Sequence, residues 1–324
     1  MINKKLDKYM WDEDNIALSW IYDPDCLTNL IRKKNVVEFM DRSTANRVLV
    51  MGIISNIDSV LNEHELKIVN HFPSGVGGLT FSVLDKHNNR AVLKFYGNNQ
   101  QLTKALEATR LLYKIRLGPR VLFAGKNLLV FEAVVPGIPI RSAEVNLDII
   151  KNLILDLNRM STAHNLSQDD DTHEWYRKLQ ESLVELSVKF KETEDMISCL
   201  ELIKDREVGF SHGDAQLGNI LIAEKGYKWI DPEPELAPKE ADLARLYTHT
   251  CADLIANDSS YDTDALYNLF ITDKNVDKKT FLTIGCIKAF VAYSSLGFGS
   301  TRRDWEAKAY YSIYKDLLSK LETE

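Results

Sequence analysis

Residues 211–222 read SHGDAQLGNILI and, after a short gap, WIDPE occupies 229–233, which sets His212, Asp214, Asn219 and Asp231 in one fixed order. Those residue types suit one reaction. In-line phosphoryl transfer needs a carboxylate to orient and finally deprotonate an attacking hydroxyl, and oxygen ligands to hold a magnesium ion that bridges the phosphates. Asp214 fits the first role, Asn219 and Asp231 the second. The spacing agrees. Asp214 and Asn219 share a short loop, Ile220 to Ile222 read as a strand that turns through Glu224, Lys225 and Gly226, and Tyr227 to Ile230 lead back to Asp231. A tight hairpin brings its ends together, so two ligands twelve positions apart can share one cation. The competing reading is an ordinary surface loop beside an ordinary hairpin. The aspartate at the far end of the hairpin favours catalysis.

On these motifs the chain resembles the aminoglycoside phosphotransferase and choline kinase-like family, small-molecule kinases that share the protein-kinase fold, from about residue 67 to the C-terminus. The resemblance implies that Asp214 is the catalytic base, that His212 buttresses the catalytic loop, and that Asn219 and Asp231 bind magnesium. ATP or GTP is the implied phosphate donor. Gln216 departs from many relatives, which carry a His there; the position is not among the metal ligands. Asp242, in EADLARLY, resembles the family aspartate that hydrogen-bonds back onto the catalytic loop, although a carboxylate at a helix N-terminus is also favoured by the dipole alone.

A nucleotide needs further parts, and they are sought upstream. RAVLKF at 90–95 alternates as a strand does, and its Lys94 offers the α- and β-phosphates a compact point charge. Before it lies SGVGG at 74–78, where Gly75, Gly77 and Gly78 let backbone N–H groups approach phosphate oxygens. In QLTKALEATRLLYKIR at 101–116 the apolar spacing is helical, and the resemblance makes Glu107 the partner of Lys94. GPRVLFAG at 118–125 reads as a turn and a strand, and NLLVFEAVVPG at 127–137 as the strand that leads between lobes. By resemblance, main-chain groups of Phe131 and Ala133 hold adenine there; the plain alternative is a buried strand.

These parts imply an α+β, two-lobed protein-kinase-like architecture. Residues 1–66 form a helical N-terminal extension with candidate helices at 24–34 and 44–62, best placed against the small lobe. Residues 67–133 form a small antiparallel-sheet lobe, read as strand, turn, strand, helix, strand, strand, and residues 134–324 a mainly helical lobe. Its helices are expected at 144–165, 174–206, 239–256, 263–271, 276–297 and 303–322.

Composition narrows the partners. With 45% hydrophobic and 27% charged residues the chain is ordinary globular material, and a formal charge of −7 argues against nucleic acid while suiting a cationic acceptor. Cys26, Cys199, Cys251 and Cys286 are scattered, without zinc or disulfide spacing, and read as reduced thiols. No signal peptide or membrane span is expected, so the placement is cytoplasmic with no membrane partner. Nothing in the pattern fixes an oligomeric state.

Three features separate the chain from protein kinases of the same fold. Gly213 stands where a regulated kinase has an arginine, ten residues separate Asp231 from Asp242, and Ala237-Pro238 is followed by Lys239 instead of Glu. A small hydroxylated acceptor is the expectation, first an aminoglycoside or aminocyclitol, otherwise a metabolite such as an amino alcohol. The acidic groups Asp169 to Asp171 and Asp258, Asp262 and Asp264 are candidate pocket walls or solvated helix ends, and Arg302 and Arg303 candidate anion contacts. A non-catalytic nucleotide-binding scaffold is the third possibility; its signature would be loss of Asp214 or of a metal ligand, and both are present.

Overall fold

A computed structural model describes residues 57–72, 80–96, 99–125, 128–141, 144–163, 171–257, 262–272, 275–296 and 304–324. The chain divides into two units, one running to Leu106 and including Val121–Ala133, the other made of Glu107–Arg120 and Val134–Glu324.

The first unit holds α1 (Ile57–Glu63), β1 (Lys67–Phe72), β2 (Thr80–Leu84), β3 (Arg90–Phe95), the first half of α2 (Asn99–Lys114), β4 (Val121–Gly125) and β5 (Leu128–Glu132). The strands form one antiparallel sheet in the order β1-β2-β3-β5-β4. Period-two alternation gives it two buried faces. Phe81, Val83, Ala91, Leu93, Phe95, Leu128 and Val130 meet on one, with Val60 and Leu61 of α1 packed against them. Tyr96, Leu129 and Phe131 meet Leu102 and Ala105 of α2 on the other. Four strands are expected here and five are found. The extra one, β2, buries only Phe81 and Val83 in five residues, too short a pattern to stand out beside a glycine run. Of the expected N-terminal extension, 24–34 and most of 44–62 lie outside the described residues.

The second unit takes up the rest of α2 and then β6 (Pro136–Pro139), so the expected single strand over 127–137 is two. Pro136 lacks the N–H that would continue β5, and β6 instead pairs with β8 (Ile220–Ala223). Next comes α3 (Leu147–Ser161), started by Asn146, whose side chain accepts from Ile149 N at 2.9 Å. It buries Ile150, Leu153, Ile154, Leu157 and Met160, one stripe at helical spacing.

The expected helix over 174–206 is also two, α4 (Glu174–Ser187) and α5 (Thr193–Glu201). Between them Phe190 turns inward against Phe290, with ring centroids 5.2 Å apart, and against Tyr293 at 6.4 Å. Aromatic burial outweighs continued helix there, and the sequence carries no glycine or proline to announce it. After β7 (Gly209–Ser211), β8, β9 (Tyr227–Trp229) and β10 (Glu235–Ala237) come α6 (Glu240–Ala256), α7 (Thr263–Ile271), α8 (Lys278–Leu296) and α9 (Asp304–Glu322). These last helices pack around Tyr247, Phe270, Phe281 and Phe290. Among the described residues no helix is long and apolar enough to cross a membrane. Cys251 and Cys286 are buried free thiols and Cys199 is partly buried.

Candidate active site

The loop that carries Asp214 is pinned at both ends by the chain that follows the β8–β9 hairpin. β7 pairs antiparallel with β10, Ser211 opposite Glu235. One residue further, Glu233 N donates to His212 O at 2.9 Å. At the other end Leu217–Asn219 make a single 3-10 turn, and Ile230 N donates to Asn219 O at 2.9 Å. That bond places Asp231 next to Asn219, as the hairpin argument requires. Asp231 is exposed and holds φ 55°, a left-handed value that aspartate tolerates better than most residues.

Gly213 explains how closely the segments approach. Its φ is +75°, and a Cβ there would fall 1.8 Å from Glu233 O. No side chain fits, which is the physical reason an arginine is absent at this position.

The helix α6 secures the loop from behind. Asp242, 5% exposed, accepts from the N–H groups of His212 at 2.6 Å and Gly213 at 3.0 Å. His212 has no exposed surface, and its ring lies 5.4 Å from that of Trp229. Burial, working against the charges of Asp242, Asp214 and Asp231, holds its pKa below the usual histidine value. Both ring nitrogens are enclosed and have no hydrogen-bond partner among the described residues.

Asp214 is partly buried and its carboxylate is well occupied. Oδ2 accepts from Asn219 Nδ2 at 2.7 Å and from Gln216 Nε2 at 2.9 Å. Oδ1 accepts from Arg245 Nη2 at 2.6 Å, and Arg245 Nη1 donates to Gly213 O at 2.5 Å. Asn219 Nδ2 also reaches Asp214 O at 3.0 Å. With the amide's donors turned to Asp214, its oxygen is left for another partner. That oxygen and the Asp231 carboxylate are hard donors of the kind magnesium takes, so the residues present fit the ion.

Neither Arg245 nor Gln216 stands out in the sequence as a site residue. Arg245 lies three positions beyond Asp242, hence on the same side of the helix, and that offset is the signal that could have found it. One further turn places His249, whose Nδ1 shares a hydrogen bond of 2.5 Å with Tyr310 OH. Burial first, then the positive charge of Arg245, pushes its pKa down to about 4. Asp253 follows at the same spacing; its side chain reaches solvent, and partial desolvation and the charge of Glu306 push it up to about 6. The acidic candidates fare differently. Asp262 caps α7, accepting from Asp264 N and Ala265 N at 3.0 Å, Asp264 pairs with Lys320 at 3.3 Å, and Asp171 pairs with Arg177. Those three carboxylates have structural partners. Asp169, Asp170, Asp258, Arg302 and Arg303 lie outside the described residues.

Of the residues expected to bind nucleotide, Lys94 is 9% exposed on β3, with Nζ 5.4 Å from the centre of the Tyr96 ring. Phe131 stands in the sheet opposite both Val92 and Val121. Ala133 lies past the end of β5, so of the two its main chain is the one outside the ladder. Gly75, Gly77 and Gly78 lie outside the described residues. Glu107 is exposed, on the stripe of α2 that carries Lys104 and Arg110. It belongs to the second unit and Lys94 to the first, so their pairing stays what the resemblance implies. A cleft of about 890 Å³ against the β8–β9 hairpin, lined by Arg116, Asn152, Asp156, Arg159 and Tyr227, contains none of the candidate residues.

No protein-family model matches the sequence, and no curated protein matches it. Solved structures do match. The choline kinase LicA from Streptococcus pneumoniae is 14% identical with a TM-score of 0.57, over 83% of this chain and 99% of that one. The amicoumacin kinase hAmiN, in complex with AMP-PNP, Ca2+ and Ami, is 13% identical with a TM-score of 0.60, over 82% and 93%. The spectinomycin phosphotransferase APH(9)-Ia, in complex with ADP and spectinomycin, is 14% identical with a TM-score of 0.52, over 81% and 93%. The chain therefore has the fold of these small-molecule kinases, a small antiparallel sheet with one helix and a mainly helical remainder.

Proposed function

We propose that this chain is an ATP- and magnesium-dependent phosphotransferase that passes the γ-phosphate to a hydroxyl of a small molecule. The observation that carries the reading is the convergence of Asp214, Asn219 and Asp231. The first two are joined at 2.7 Å, and the third follows a residue whose N–H is bonded to Asn219 O. Asp214 orients the acceptor hydroxyl and takes its proton as the new oxygen–phosphorus bond forms and the bond to the β-phosphate oxygen breaks. Asn219 and Asp231 are assigned to magnesium, which when bound neutralises charge on the phosphates. Lys94 is assigned to the α- and β-phosphates, and the main chain at Phe131 and Ala133 to adenine.

For the acceptor, the first reading is an aminoglycoside or aminocyclitol and the second an amino alcohol. Both are cationic. Asp253, on the same face of α6 as Arg245, supports a positively charged acceptor, and so do the amine-handling kinases that share the fold. The test is ADP formation from MgATP with choline, ethanolamine, spectinomycin and other hydroxylated amines. Asp214→Ala abolishes turnover while ATP still binds, and Asp231→Ala removes metal-dependent nucleotide binding. Near-normal turnover by Asp214→Ala refutes the assignment of the base; silence of the wild type across the panel favours a scaffold.

A further inference from the structure

A carboxylate offers about four in-plane lone-pair sites. On Asp214 three are taken, two on Oδ2 by Asn219 and Gln216 and one on Oδ1 by Arg245. The vacant site is on Oδ1, beside the guanidinium. An acceptor hydroxyl that gives its proton to Asp214 without displacing one of these donors must approach there.

Arg245 is built to hold that oxygen still. Its two terminal nitrogens are fixed on Gly213 O and Asp214 Oδ1, at 2.5 and 2.6 Å, so the planar fork locks the carboxylate to the backbone of its own loop. Its Nε–H is buried and has no acceptor among the described residues. An unmet donor of this kind is costly, and an oxygen of a bound acceptor would relieve it. Charge points the same way. The loop gathers Asp214, Asp231 and Asp242 around one buried histidine, and a polyphosphate adds to that excess; Arg245 is a cation in direct contact with Asp214.

We propose that Arg245 is the positioning residue of the phosphoryl transfer, fixing Asp214 through Oδ1 so that the remaining lone pair of that oxygen meets the acceptor hydroxyl. The proposal rests on the reading of Asp214 as the base. The proton lost by the hydroxyl goes to Asp214 Oδ1 as the new oxygen–phosphorus bond forms and the bond to the β-phosphate oxygen breaks, and no covalent bond of Arg245 changes.

Steady-state ADP formation from MgATP, with choline, ethanolamine, spectinomycin and water as acceptors, tests it on the full chain. The variants are Arg245→Gln, Arg245→Lys and Asp214→Asn, alone and combined, each with its folded fraction measured by thermal melting. In Arg245→Gln, kcat is expected to fall roughly 100-fold with KM for ATP changed less than about threefold. Arg245→Lys recovers about a tenth of the wild-type rate, because charge returns without the fork. Arg245→Gln adds no further loss to Asp214→Asn. Turnover by Arg245→Gln within about threefold of wild type overturns the proposal, as does a loss explained wholly by a smaller folded fraction. Absence of ADP formation by the wild type with every acceptor, water included, overturns the phosphotransferase reading and this proposal with it. That pattern is distinct from an active wild type with indifferent variants.

Discussion

Replacing Asp242 measures how strongly α6 holds the catalytic loop. The side chain is 5% exposed and accepts the N–H groups of two loop residues that are themselves buried, at 2.6 and 3.0 Å. In Asp242→Ala both donors lose their acceptor in the interior, at about 1–3 kcal/mol each. The carboxylate also sits in the first turn of α6, where the helix dipole contributes about 0.3–1 kcal/mol. The expected destabilisation is therefore roughly 2–7 kcal/mol. For a unit of this size that corresponds to a fall in Tm of about 5–28 °C. Asp242→Asn keeps one acceptor oxygen and turns a donor toward the second N–H, so its fall is smaller but still several degrees. Differential scanning calorimetry reads both. Because Asp242 holds the loop through the N–H groups of His212 and Gly213, turnover should fall in Asp242→Asn at temperatures where the protein remains folded. A Tm for Asp242→Ala within about 2 °C of wild type would refute the reasoning, because two buried hydrogen bonds to a carboxylate cannot be that weak.

Gly213→Ala introduces a Cβ 1.8 Å from Glu233 O at a φ of +75°, so the loop and the post-hairpin segment must separate. Turnover and nucleotide affinity should both fall, as isothermal calorimetry with MgATP would record. His249 carries a pH signature. Its folded value of about 4 lies below the unfolded 6.5, so the unfolded chain binds the proton first and stability is lost as pH falls from about 6.5 to 4, by at most about 3 kcal/mol. Urea midpoints across that range should show a slope that His249→Phe diminishes. Asp253, with a value of about 6, is charged above that pH. KM for a cationic acceptor should thus drop as pH rises through 6, and Asp253→Asn should flatten the profile.

Much of this was legible because the chemistry is local. Asp214 and Asn219 are five positions apart on one loop, and the β8–β9 hairpin announces itself by two apolar runs around Glu224-Lys225-Gly226. The strand over Arg90–Phe95 shows period-two alternation, and α7 matches its expected bounds because Asp262 is a visible cap. What stayed hidden depends on partners distant in sequence. Arg245 meets Asp214 across 31 positions, and in isolation it reads as one more solvated helical arginine. The end of α4 is set by Phe190 finding Phe290, a contact that no local pattern encodes. The partner of Glu107 came from a resemblance alone, since nothing in the spacing of an exposed helical glutamate names one.

The pairing of β7 with β10 has a bearing on control. The stretch from Asp231 to Asp242 is zipped to the start of the catalytic loop through Ser211, Phe210 and Gly209, and Glu233 is bonded to His212 in addition. A segment so tied cannot swing out and back as an on–off gate. Under the proposed phosphotransfer, this stretch is therefore not where turnover would be switched.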